Sequence, residues 1–339
     1  LLIVKENKLK RFLAYILIFL ILCFSIPIIF TSKAKPTISN NTENKEEQQT
    51  VADYDYKQYN TVKLLHTSTN KVEELGLDEY LYGVVSSEMP ASFEKEALKA
   101  QAVVARTYTL YKIINGGKKH GNANICDSST CCQAWISKEK RLERWKEENR
   151  TEYWNKIVSA VNETKGKMIT YNGKPINAFF HSNSGGYTEA PLNVWGGSGY
   201  PYLKSVETSG ENAYNQYSSK ATFTKKEFEE KTKKVYSNFK IDFSKEDCIK
   251  IKEYTEGNRV KLIKIGNLEL SGVEVRTLLS LRSANFRVTI EKDNIIFEVT
   301  GYGHGVGMSQ TGADSLAKQG KSYEEIIHHF YSGVKVQDI

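Results

Sequence analysis

The stretch Leu77–Tyr108 constrains this chain more than any other. It reads as a short helix, a break marked by Pro90, and a long alanine-rich helix. Leu77, Leu81, Val84, Val85 and Glu88 recur at steps of three or four, so Glu88 closes an apolar stripe. A carboxylate on the apolar side of a helix is costly unless it is paired, or protonated because burial raises its pKa. A raised pKa is what a general acid working near neutral pH requires. The plainer alternative is a Glu that caps or pairs locally at a helix end.

Asp78 is the expected N-cap of the first helix. Pro90 blocks its continuation, and Ser92 with Glu94 and Glu96 is expected to open the second. That helix should run to about Ile114 and stop at Gly116-Gly117. Ala97, Ala100, Ala102 and Ala105 allow close packing against the element carrying Glu88, which sets Arg106 near the site or in its wall. The alternative for Arg106 is a cation that braces the core.

Upstream, Phe12 to Phe30 is an uncharged apolar run of 19 residues preceded by Lys5, Lys8, Lys10 and Arg11. Its length and flanking charge predict a single-pass anchor at 12–30, with residues 1–11 cytoplasmic and the rest outside the membrane. The run ends in Ile-Pro-Ile-Ile-Phe-Thr-Ser-Lys rather than a small-x-small site, which favours an uncleaved anchor over a signal peptide. Residues 31–60 are polar without hydrophobic period and are expected to be a flexible linker. Residues 61–339 form the globular part. The formal charge of +7 is a mild basic bias, compatible with an anionic polymer but not pointing to nucleic acid.

His120, Cys126, Cys131 and Cys132 supply four borderline-soft ligands within thirteen residues, enough for a closed, structural zinc site. Outside the membrane a disulfide competes, Cys126 to Cys131 or Cys132 being feasible and a vicinal Cys131–Cys132 bond strained. Cys248 is isolated and expected to be a small buried apolar residue. Residues 138–166 are expected as one charged helix with Trp145 and Trp154 facing inwards or towards a ligand. Asn172-Gly173 marks a hairpin.

The second hairpin strand runs into His181-Ser-Asn-Ser-Gly-Gly, a loop that can bring backbone N–H groups near a ligand or be a plain polar turn. Trp195, Tyr200 and Tyr202 then suit either sugar stacking or plugging of loops onto the core. Residues 206–300 look like a structural insert, with capping boxes at Thr224/Glu227 and Ser271/Glu274 and a hairpin turning at Asp293-Asn294. In Gly301-Tyr-Gly-His304-Gly-Val-Gly-Met-Ser-Gln310, four glycines beside one His imply a backbone that approaches something closely.

Together these motifs resemble the stage II sporulation protein D family, which is related to amidase enhancers. The carriers are Leu81-Tyr-Gly-Val-Val-Ser-Ser-Glu88-Met-Pro, Ala97 to Tyr108 with Arg106, Phe180-His-Ser-Asn-Ser-Gly-Gly186, Tyr200-Pro-Tyr-Leu-Lys-Ser-Val206, and Gly301 to Ala313. The resemblance implies an α+β protein: a single-pass N-terminal anchor and a mixed α/β catalytic core with a hairpin-and-helix insert. Its activity would be that of a peptidoglycan lytic transglycosylase. It would cut glycan strands already stripped of peptides during forespore engulfment, from the cell membrane into the septal space.

By the same resemblance Glu88 is the catalytic acid, and the partners are the glycan strands, a sporulation amidase and a membrane scaffold protein. Some members bind zinc at the position of His120 to Cys132; here Cys131 stands where a His is expected. Ordinary glycosidases need a second carboxylate. A lytic transglycosylase can use the muramic acid C6 hydroxyl of its own substrate, so one Glu suffices as acid and then base. Arg106, His181, Ser182, Asn183, Lys204 and His304 are candidates for gripping the strand or stabilising charge. The rival is a glycan-binding module that activates an amidase without cutting. A Cys–His hydrolase using Cys132 and His304 is a third option, disfavoured by the crowding of cysteines.

Overall fold

The computed structural model describes residues 56–116, 119–198 and 200–338. The expected anchor and most of the expected linker lie outside these residues. Among the described residues no helix is long and apolar enough to cross a membrane. A 3-10 turn at Tyr56–Tyr59 leads in, and Tyr59 packs against the main core, so the fold begins inside the stretch expected as a linker.

β1 (Thr61–His66) pairs antiparallel with β2 (Lys71–Gly76), which runs directly into α1 (Leu77–Glu88). The cap of α1 is Gly76, without a side-chain bond, and not Asp78. Asp78 instead sits in the first turn, where its charge suits the positive helix end and reaches Arg106. α2 (Lys95–Asn115) starts after Glu94 rather than Ser92, and the Glu94 N–H donates to Asp314 Oδ1 at 2.6 Å. The tertiary acceptor thus replaces the local cap that the sequence suggests.

β3 (Ile125–Cys126) joins β1 in parallel. The charged segment expected as one helix is two, α3 (Lys138–Arg144) and α4 (Glu147–Glu163). Trp145 between them is extended (φ −94°, ψ 149°) and packs its indole against the core, edge-on to Tyr153 at 5.5 Å with Arg141 over it at 4.9 Å. Burying that ring is what breaks the helix. β4 (Lys167–Tyr171) and β5 (Lys174–Pro175) form the expected hairpin, with left-handed φ at Asn172 (49°) and Gly173 (72°).

There follow β6 (Phe180–His181), α5 (Pro191–Trp195), β7 (Ser218–Thr224), α6 (Lys225–Val235), β8 (Ile249–Tyr254), β9 (Val260–Ile265) and β10 (Leu268–Leu270). The chain closes with α7 (Gly272–Leu279), β11 (Phe286–Glu291), β12 (Asn294–Thr300), β13 (Met308–Ser309), α8 (Gln310–Lys318), α9 (Tyr323–Phe330) and β14 (Lys335–Asp338), the last pairing antiparallel with β4.

The arrangement is mixed α/β with two hydrophobic cores. The main one is built around α2, which packs against α1, α4, α8, α9 and β4. Its Ala97, Ala100, Ala102 and Ala105 are buried, and such small side chains let neighbouring backbones come close. The second core lies between the sheets β11-β12-β7 and β10-β9-β8 and helices α6 and α7, around Phe228, Ile263, Val275, Phe286 and Phe297. Both expected capping boxes open its helices.

This second core spans Phe228 to Val299, whereas Val206 and Tyr214 pack on the main core. The separately packed part of the expected insert therefore starts near β7. Pairing of Glu291 with Asn294 puts the hairpin turn at Lys292-Asp293, one residue earlier than the sequence suggests, with Lys292 at φ 51°.

Candidate active site

Glu88 is the last residue of α1, and the stripe it closes is buried at Leu77, Leu81, Val84 and Val85. Met89 turns extended directly after it, which ends the helix at the carboxyl. Its Oε1 accepts the backbone N–H of Ala134 at 2.6 Å, and its Oε2 accepts Gln310 Nε2 at 3.3 Å. Burial pushes the Glu88 carboxyl above the ordinary carboxylate range, while these two donors pull it back down. No second carboxylate is among the groups that move it. Such a group can hold a proton at higher pH than a surface Glu, release it, and be steadied as the anion by two preplaced donors.

Ala134 comes from the segment after β3, and Gln310 opens α8. α8 is placed by a short parallel pairing in which Met308 and Ser309 of β13 meet Phe180 and His181 of β6. This two-residue ladder joins the His181–Gly186 loop to the glycine-rich motif. The close approach implied by that motif is real at Gly305 and Gly307, both left-handed (φ 85° and 73°). A Cβ at Gly307 would stand 1.9 Å from the Phe179 carbonyl oxygen, and one at Gly305 would collide with the Arg259 guanidinium.

The expected gripping residues are placed as follows. Arg106 is fully buried; its Nη1 donates to the Thr164 carbonyl at 2.8 Å, and Nη2 to the Val161 carbonyl and Asp78 Oδ1, each at 3.3 Å. It braces the C-terminus of α4 against the first turn of α1 and offers no surface to a ligand. His181 is buried, with Nδ1 against the Val306 carbonyl at 3.1 Å and Nε2 without a partner. Burial, with Arg259 near it, pushes it down to about 3. His304 accepts the Val306 N–H at 3.1 Å and is held well below its usual range by burial and the neighbouring His181. The two rings lie 5.7 Å apart. Both are therefore neutral groups that shape the loops rather than cations.

Asn183 is buried and internal, donating to Thr311 Oγ1 at 2.8 Å and accepting the Gly185 N–H at 2.9 Å. The Ser182 carbonyl accepts the Thr311 N–H at 3.1 Å while the residue itself is half-buried. Lys204 is exposed, with its carbonyl accepting Thr188 Oγ1 at 3.0 Å. Of the expected set, Ser182 and Lys204 present the most accessible polar groups.

Sequence reasoning passed over Gln310 and the Ala134 amide, the two groups on Glu88, and also Glu211 and Arg259. Buried Glu211 accepts the N–H groups of Ser184 (3.0 Å) and Gly186 (3.1 Å) and lies against the hydroxyls of Thr208 (2.7 Å), Ser309 and Thr311 (3.0 Å). It thereby ties down both neighbours of Gln310. Arg259, from the hairpin β8–β9, donates to the carbonyls of Tyr187 and Ser184, each at 3.0 Å, and so joins the second core to the His181–Gly186 loop. No motif announces either residue. The one signal was an acid at 211 in a stretch otherwise of Ser, Gly, Asn and Ala.

The ligand atoms of His120, Cys126, Cys131 and Cys132 all lie within 4.8 Å of one another. His120 Nε2 is 3.3 Å from Cys132 Sγ and 3.8 Å from Cys131 Sγ, and the two sulfurs are 4.0 Å apart. All four described cysteines are free thiols, so the expected alternative of a disulfide is not formed here. A tetrahedral zinc with bonds of about 2.3 Å holds sulfurs about 3.8 Å apart, so this donor set and spacing fit the ion. Cys248 is buried, as expected for a small apolar residue.

A family model described as "Stage II sporulation protein" matches residues 65–171. The chain is 37% identical over 279 residues to stage II sporulation protein D of Bacillus subtilis (strain 168), covering 82% of this chain and 79% of that one. The protein of the same name from Bacillus amyloliquefaciens is 37% identical over 280 residues, with the same coverage. A Bacillus subtilis protein named amidase enhancer is 29% identical in an alignment 302 positions long that covers 75% of this chain and 39% of that longer protein.

Proposed function

The chain belongs to the stage II sporulation protein D family, and from that premise we propose that it is a lytic transglycosylase cutting peptide-stripped peptidoglycan glycan strands, with Glu88 as its acid and base. The carrying observation is a single carboxyl with its proton affinity raised by burial and two donors aimed at it. Oε2, with the longer contact, is the oxygen freer to carry the proton. Glu88 donates that proton to the glycosidic oxygen as the C1–O bond breaks and positive charge develops at C1. The Ala134 N–H and Gln310 Nε2 steady the carboxylate that remains. The muramic acid C6 hydroxyl then attacks C1 and its proton passes to Glu88, which restores the acid and leaves a 1,6-anhydro ring. One carboxyl serves both steps, so no second is required.

In this reading His120, Cys126, Cys131 and Cys132 hold a structural zinc, whose contribution is to fix the segment that runs from Cys126 to Ala134. The protein works outside the membrane, tethered by residues 12–30, on glycan strands beside a sporulation amidase and a membrane scaffold protein. The likeness to a protein named amidase enhancer favours a second reading, a non-catalytic glycan-binding activator of such an amidase. Incubating the full chain and its Glu88→Gln variant with peptide-free glycan strands separates the two. Anhydro-muramyl products from the Glu88 chain alone support the enzyme. Binding without products from either supports the activator, and equal cutting by the variant removes Glu88 from the mechanism.

A further inference from the structure

Of the three aromatic residues that suit either a platform or a plug, Tyr202 is buried and Tyr200 half-buried, but Trp195 is 51% exposed. Leu192, three residues earlier on α5 and so on the same face, is 56% exposed. A large apolar pair left bare on a rigidly mounted helix is informative in a way that a single exposed residue is not. The mounting is firm on the other side. The Trp195 ring lies 4.7 Å from Phe179 and 5.1 Å from His304, centroid to centroid. Glu189 accepts both the Ala190 N–H at 2.8 Å and Asn193 Nδ2 at 2.7 Å, which pins α5 at its start.

His304, on which the Trp195 ring rests, belongs to the same Gly301–Ala313 stretch that carries Gln310 to Glu88. Phe179, also against the indole, lies 6.1 Å from the half-buried Tyr200. The bare indole therefore stands on the stretch that supplies a donor to the candidate acid. We infer that Trp195, with Leu192 beside it, is a stacking platform for a sugar ring of the glycan strand, at a subsite apart from the bond that Glu88 cuts. The apolar C–H face of a pyranose matches an indole in size and polarity. An aromatic anchor supplies contact area at little cost in side-chain freedom.

This inference rests on the glycan reading, and its test is arranged so that the two can fail separately. Binding is measured on the full chain carrying Glu88→Gln, so that nothing is cut, using β-1,4-linked N-acetylglucosamine hexamer and dimer as probes. Adding Trp195→Ala is expected to weaken hexamer binding about tenfold, leave the dimer unchanged, and be largely rescued by Trp195→Phe. With Glu88 intact, Trp195→Ala should raise KM for long peptide-free strands while kcat stays close to its original value. Equal hexamer affinity with and without Trp195 overturns the platform, as does failure of the Trp195-bearing chain to bind the hexamer. Intact, Trp195-dependent binding with no anhydro product overturns the enzyme reading and leaves the platform standing.

Discussion

Gln310 Nε2 meets Glu88 Oε2 at 3.3 Å across 222 residues of chain. The contact joins the end of one helix to the beginning of another and supplies one of two donors to the candidate acid. Replacing Gln310 by Met keeps the volume and removes the donor. Because this bond lowers the Glu88 pKa, its loss moves the pKa further up. The alkaline limb of the pH–rate profile, set by deprotonation of the acid, should then move to higher pH. The anion left after proton transfer also loses support, so kcat should fall roughly ten- to hundredfold. A profile with an unmoved limb would detach Gln310 from the acid.

Glu88 itself should limit stability in a pH-dependent way. Its folded pKa is raised above the ordinary 4.5, so its contribution is fully present below that value and is lost as pH rises through the folded pKa. Above it, a charge must be held where burial disfavours charge. Glu88→Gln carries no such charge. The variant and the parent should therefore have similar urea midpoints at about pH 4, and the variant should be the more stable at about pH 8. Midpoints that run parallel across this range would contradict the raised pKa.

The acceptor role of Glu211 predicts a coupled loss. In Glu211→Gln one carboxylate oxygen becomes an amide nitrogen, which faces either the Ser184 or the Gly186 N–H, neither of which has another acceptor. Destabilisation of about 3 kcal/mol or more is expected, read from chemical denaturation. Removing one partner with Ser309→Ala should cost only about 1 kcal/mol. Because Glu211 holds Ser309 and Thr311 on either side of Gln310, the surviving folded Glu211→Gln protein should also show the shifted limb expected of Gln310→Met.

For the four-ligand cluster, metal analysis of the folded chain should find one zinc, lost in Cys126→Ser. Because a structural zinc contributes several kcal/mol or more, chelation should lower the melting temperature sharply. Activity should fall with it, since the segment after Cys132 delivers the Ala134 amide to Glu88. A zinc-free chain of undiminished stability would count against the assignment.

What could be read from the sequence follows the range of the interaction responsible. The stripe ending in Glu88, the alanine-rich helix and the two capping boxes are local patterns, and each is present. So is the grouping of His120 with three cysteines close to it in the chain. Local patterns misled where a distant residue competed. Asp78 resembles a cap but is taken by Arg106, and Ser92 gives way to Asp314, more than two hundred residues on. The break at Trp145 carries no Gly or Pro, because it is tertiary burial of one indole. The gripping set was least legible. Whether a His faces a ligand or a carbonyl depends on the two-residue β6–β13 pairing, which is too short to leave any periodicity.

That pairing has one more consequence. Glu88 sits on a helix completed early in the chain, but the two donors that steady its carboxylate come from later segments, Ala134 first and Gln310 near the end. Gln310 reaches Glu88 from the start of a helix that the β6–β13 pairing sets in place. The full donor set of this one carboxyl thus joins segments from the beginning, middle and end of the described chain, so a cut or insertion far from residue 88 can disarm it.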